Sequence, residues 1–268
     1  MPHRLPAALA LALASVVAFA AAAGPPAGLE LAQRVNARSE GVAQRREVRM
    51  ELIDAKGRTR SRVATIFRKY FGDDKKTTVF FVEPAVIAGT AFLTYDYADG
   101  GRDDDVWLYL PAHRKVRRIA ASDRGASFFG TDLSYEDVKK ETKLAIEDYR
   151  WATIGEDSVD GHRCYQLEAV PVDEGTAREL GYGRVVSCID AELWISRRAD
   201  YWDRKGQHLK TVHHTELAPV EGIWTALRTE VANHRTGHRT VLSFSKIRYE
   251  DGVDDAVFEP GNLGRGAP

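Results

Sequence analysis

From Val48 onward, apolar residues recur at every second position, and that rhythm sets what the chain can fold into. Val48-Arg49-Met50-Glu51-Leu52 alternates strictly, a Lys56-Gly57 turn follows, and Val63-Ala64-Thr65-Ile66-Phe67 resumes as a β-branched and aromatic run. Residues i and i+2 share one face of a strand, so two such runs about a Gly turn read as a hairpin. Comparable runs lie at Thr77–Val82, Ala91–Tyr97, Val106–Leu110, Tyr149–Ile154, Cys164–Val170, Glu192–Ser196, Leu209–Leu217, Ile223–Val231 and Thr240–Tyr249. Pro84, Pro111, Pro171, Pro219 and Pro260 all stand at the ends of runs, where a missing N–H does not break a ladder. The pattern predicts ten or eleven strands joined by short turns, hence an antiparallel sheet.

Two stretches depart from this rhythm. Leu31 and Val35, four apart among good helix formers, predict a short helix over Leu29–Ala37. Thr131–Lys143 lacks Gly and Pro, and Ser134-Tyr135-Glu136-Asp137 reads as an N-cap with an acidic first turn, which predicts a helix over 134–141.

Before the sheet begins, Leu5–Ala23 is almost wholly apolar, follows Arg4 and ends in small residues ahead of Gly24-Pro25-Pro26. Residues 1–23 therefore read as a cleaved secretory signal peptide rather than a membrane span. They hold 18 of roughly 118 apolar residues and one charge, so residues 24–268 keep about 41% apolar content and 37 basic against 39 acidic side chains. That balance excludes a second membrane span, a nucleic-acid-binding excess of positive charge and the signature of disorder. No linker or repeat divides 24–268, which is read as one domain with a mobile tail at 261–268.

Four segments in order carry a resemblance: Phe81–Leu93 (FVEPAVIAGTAFL), Val106–Ile119 (VWLYLPAHRKVRRI), Ser127–Asp137 (SFFGTDLSYED) and Val159–Tyr165 (VDGHRCY). Together they resemble the LolA-like outer-membrane lipoprotein-sorting family of bacterial periplasmic proteins. The resemblance implies a half-open β-barrel: one curled antiparallel sheet around an apolar cavity, with short helices as a lid. It also implies a carrier of acylated cargo, lipoprotein or lipid, between the inner membrane and elsewhere in the envelope. The export signal and the absence of catalytic motifs add the expectations of a non-enzymatic periplasmic protein with only transient membrane contact. Many members look like partners of inner-membrane transporters of the RND type.

Candidates for the cavity or lid are Ile66, Phe80, Phe92, Trp107, Tyr109, Phe128, Phe129, Leu133, Trp194 and Trp224. Ordinary core is the competing reading for each, since strand aromatics usually pack. Phe128-Phe129 beside Gly130 is the exception, because adjacent Phe side chains point to opposite faces and at least one should meet the cavity. Arg114, Lys115, Arg117 and Arg118 form a basic run after a strand. It reads either as a charged edge that discourages strand addition or as a docking patch for a transporter or an anionic membrane surface. A sensor or docking module using the same fold without cargo is the alternative function.

Asp96, Asp99, Asp103, Asp104 and Asp105 lack the EF-hand spacing and read as a polar hairpin. His208, His213, His214, His234 and His238 offer no assured ligand pair, so no metal or cofactor is expected. No catalytic elbow, zinc-protease, phosphate-loop or dinucleotide motif is present. Cys164 and Cys188, the only cysteines, would tend to bond in an oxidising compartment. A simple hairpin centred near residue 178, however, sets Cys164 opposite about residue 193, so the pairing stays open.

Overall fold

The computed structural model describes residues 25–99, 101–141, 143–249 and 252–268. The signal-peptide reading of 1–23 falls outside these residues. The first half of the chain runs through β1 (Ala43–Ile53), β2 (Thr59–Phe71), β3 (Asp74–Glu83), β4 (Ala91–Asp96), β5 (Asp105–Leu110) and β6 (Lys115–Arg118). The second half runs through β7 (Tyr149–Val159), β8 (His162–Pro171), β9 (Arg184–Asp190), β10 (Ser196–Trp202), β11 (His208–Val220), β12 (Ile223–Asn233) and β13 (Arg239–Tyr249). All thirteen join one antiparallel sheet, in the order β6-β5-β4-β3-β2-β1-β13-β12-β11-β10-β9-β8-β7. The chain thus starts mid-sheet, meanders out to β6, crosses to the far edge at β7 and meanders back until β13 lies beside β1.

Among the described residues, thirteen strands replace the expected ten or eleven, for identifiable reasons. All four residues of β6 are exposed, so this edge strand has no apolar face to betray it. Strand β9 (Arg184–Asp190) falls between the runs expected at Cys164–Val170 and Glu192–Ser196 and belongs to neither. The run expected at Glu192–Ser196 is instead a turn, with Trp194 at φ 54°, and the strand starts at Ser196. Helix α1 (Gly28–Ala37) matches its expectation within a residue, and α2 (Tyr135–Lys140) lies inside the expected span. Helix α3 (Glu174–Leu180), capped by Asp173, was masked by Pro171 and Gly175.

The crossing from Ile119 to Asp148, here called the strap, lies over one face of the sheet. Asp137 and Lys140 are one helical turn apart on it, yet Asp137 bonds Lys210 of β11 while the Lys140 carbonyl accepts from Lys75 of β3 at 2.8 Å. Those strands are five ladder steps apart, about 24 Å on a flat sheet at about 4.8 Å per step. The sheet must therefore curl around the strap, and among the described residues β6 and β7 are its edge strands.

Register identifies the concave face. Phe244, Val48, Ala64 and Phe81 run side by side across β13, β1, β2 and β3, and Ile66, Val79 and Phe92 form the next row. Phe128, Phe129, Leu133, Tyr135 and Val138 of the strap pack on these rows. The convex face is covered too. Phe67, Phe80, Leu93, Trp107 and Tyr109 pack beneath two 3₁₀ turns, Asp255–Phe258 and Pro260–Arg265. Leu263 is fully buried there, so part of the tail expected to be mobile is anchored. Its Gly- and Pro-rich sequence has no periodicity that would announce this packing.

Candidate functional site

Between the concave face and the strap lies a chamber of about 260 Å³. Val48, Met50, Ile66, Val212, Leu242 and Phe244 form its sheet wall, and Phe128, Leu133, Val138 and Leu144 form its strap wall. Helix α1 adds Val35, while Tyr149, Trp151, Trp194, Tyr201 and Trp224 supply an aromatic side. The helix sits tightly against β7, since a Cβ on Gly28 would fall 2.4 Å from the Ala152 nitrogen.

Ion pairs tie the strap to the sheet. Asp137 completes the α2 capping box by accepting from the Ser134 amide, and it also accepts from the Tyr182 hydroxyl at 2.8 Å and from Lys210. Lys139 meets Asp104 and, at 2.8 Å, Glu136; Lys140 meets Asp96 at 2.8 Å. Burial alone would raise the Asp96 carboxyl, but Lys75 and Lys140 outweigh it and hold the group far below the usual carboxylate range. Burial wins at Glu136, whose pKa is raised. The Arg62 guanidinium donates to the Phe129 carbonyl, and Asp132 accepts from Thr240 at 2.7 Å and pairs with His238 at 2.6 Å.

One end of the chamber is polar, lined by Arg38, Glu40, Gln44, Arg46, Arg68, Glu141 and Lys143. Glu40 receives Arg38 at 3.2 Å, Arg68 at 3.0 Å and the Tyr70 hydroxyl at 2.9 Å. Burial opposes ionisation of Glu40, yet Arg68 and Lys75 keep its pKa below normal. Arg46 pairs with Glu141, and Lys143 donates to the carbonyls of Asn36 and Arg38.

Of the residues expected at a cavity, Ile66, Phe128, Leu133, Trp194 and Trp224 line the chamber. Phe92 and Phe129 sit beside it, with rings 5.1 and 5.0 Å from Phe128. Phe80, Trp107 and Tyr109 lie on the convex face instead. Their strands are covered on both sides, so Val79-Phe80-Phe81 is apolar throughout and carries no facing signal. Tyr149, Trp151, Tyr201 and the polar end were not anticipated. Alternation places Tyr149 and Trp151 on one face, but only the pairing of Trp151 with Ala169 ties that face to the concave side.

Arg114, Lys115, Arg117 and Arg118 occupy the exposed β5–β6 hairpin, where Arg118 pairs with Asp105. Cys164 and Cys188 are bonded across β8 and β9 with Cα atoms 5.3 Å apart. Cys164 pairs in register with Asp190 and Cys188 with Gln166, so the bond is diagonal. Asp200, His208 and His234 converge on the outer surface with ligand atoms within 4.8 Å of one another, although Arg198 already holds Asp200 at 3.0 Å.

An open, curled antiparallel sheet strapped across its concave face defines a LolA-like fold. A LolA superfamily protein from Nitrosomonas europaea shares that fold at TM-score 0.67 and 17% identity, over 88% of this chain and 98% of the other. A DUF1329 family protein from Desulfovibrio piger is 33% identical with TM-score 0.82, over 88% of this chain and 97% of the other. A putative outer membrane lipoprotein-sorting protein domain from Vibrio parahaemolyticus is 31% identical with TM-score 0.80, over 89% and 98%. The chain belongs to the DUF1329 family. A family model described only as an uncharacterized protein matches residues 73–265, and no curated protein matches the chain.

Proposed function

We propose that this protein is a non-catalytic periplasmic carrier that takes acyl chains of a lipoprotein or lipid into the chamber and moves them across the bacterial envelope. The observation that carries the reading is the apolar and aromatic chamber between the curled sheet and the strap. Each buried CH₂ contributes about 0.8 kcal/mol, so a sixteen-carbon chain gains on the order of 12 kcal/mol by leaving water. Pockets for drug-sized ligands span about 300–1,000 Å³. At about 260 Å³ the chamber is below that range, so loading a long chain requires the strap to lift. Its ion pairs set the cost of lifting, which offsets part of the gain and lets the carrier release its cargo.

The cationic β5–β6 hairpin is the surface proposed to meet a partner, an inner-membrane transporter of the RND type being the class the reading favours. Native purification from bacterial envelopes followed by lipid mass spectrometry tests the carrier function. Stoichiometric co-purified acyl lipid or lipoprotein is the expected result. A chain that neither co-purifies with nor takes up any acyl compound is not a carrier.

A further inference from the structure

The polar end of the chamber holds more cation than its own acids neutralise. Arg38, Arg46, Arg68 and Lys143 stand around two carboxylates, Glu40 and Glu141. The neighbouring strap acids do not redress this, because Glu136 and Asp137 are engaged by Lys139 and Lys210. The guanidinium groups cannot shed their charge, and they are enclosed: the Arg68 side chain is 4% exposed and that of Arg46 is 13%. Among the described residues, the Nε of Arg38, of Arg46 and of Arg68 is buried with no hydrogen-bond partner, and so is the Gln44 side-chain oxygen. Buried polar groups are normally satisfied, so three orphaned guanidinium donors at one place call for an explanation. Lys143 agrees with them. Its pKa is lowered by burial, with Arg38, Lys75 and Arg68 adding to the depression against the pull of Glu40. Like charges crowded out of water at one end of an apolar chamber form a receptor for an anion.

We propose that this end receives the anionic oxygen headgroup of an amphiphile, a carboxylate or phosphate, whose acyl chain runs along the wall toward Trp151 and Tyr201. Planar guanidinium forks match both headgroups through paired N–H···O bonds, and the low local dielectric strengthens them. The inference rests on the carrier reading and narrows its cargo from any acyl chain to acidic lipid.

Calorimetric titration of the folded protein at pH 7 with dodecanoate, dodecyl phosphate, dodecanol and inorganic phosphate tests it. The two anionic amphiphiles are expected to bind at least tenfold more tightly than dodecanol. Arg46→Gln and Lys143→Gln should each shrink that ratio severalfold while leaving dodecanol affinity within twofold, a split that mere loss of folding cannot produce. Equal affinity for dodecanol and the two anions overturns the headgroup inference and leaves the carrier standing. Inorganic phosphate binding as tightly as dodecyl phosphate overturns it as well, since the chain would then add nothing. Failure of every dodecyl compound to bind removes carrier and headgroup together.

Discussion

His214 lines the chamber beside Thr229, whose hydroxyl lies 2.9 Å from its Nδ1. Burial, aided by His213 and Arg38, lowers its pKa to about 4. An unfolded histidine binds a proton near pH 6.5, so between pH 6.5 and about 4 the unfolded chain takes up a proton that the native chain refuses. Stability therefore falls as pH drops through this window, by up to about 2 kcal/mol at pH 5. His214→Gln is expected to flatten the dependence of the denaturation midpoint on pH between 7 and 5; an unaltered slope would assign the titration to another group. Asp96 acts at lower pH, because its depressed pKa supplies stability that is present above about pH 4 and lost in stronger acid. How far single residues could be read from sequence depended on their neighbours. The Phe128-Phe129 pair stands out because Gly130 and a helix cap follow it, yet both rings pack on the concave side rather than on opposite faces, whereas Phe80 carried no facing signal because both faces of its strand are apolar.

Helix α2 has only six residues, too few to persist without support. Its N-terminus was legible because the cap is local: Ser134 accepts from the Asp137 amide at 3.1 Å. The partner of Asp137 was not, since Lys210 is 73 residues away and no periodicity links the two. The energetic weights differ accordingly. Removing the Ser134 hydroxyl costs about 1 kcal/mol, the usual value for a cap. Asp137→Ala also leaves Lys210, with its side chain 3% exposed, as an uncompensated buried charge and is expected to cost about 3 kcal/mol. Urea denaturation of the two variants compares these values directly, and equal losses would reduce Asp137 to a cap. The Asp137 variant should also take up a fluorescent acyl probe faster, because the pair it breaks is one that holds the strap down.

For the whole molecule, the period-two rhythm was enough to declare one antiparallel sheet. It could not declare the strand order, because nothing local marks β1 and β13 as neighbours. Val48 faces Phe244 and Met50 faces Leu242 across 196 and 192 residues of chain. That pairing is also where the two meanders meet, and without it each would end in a long bare edge. A chain ending at residue 238 is therefore expected to lose the cooperative urea transition of the full-length protein and to sediment as aggregate. A monomeric product with a sharp transition would mean that β1–β12 folds alone. The arrangement has a temporal side. As the polypeptide is made from its N-terminus, β1 is among the first strands available, yet its second neighbour is the last to arrive. Until residues 239–249 emerge, the middle of the finished sheet is an open seam, so the step that completes the fold joins its oldest strand to its newest.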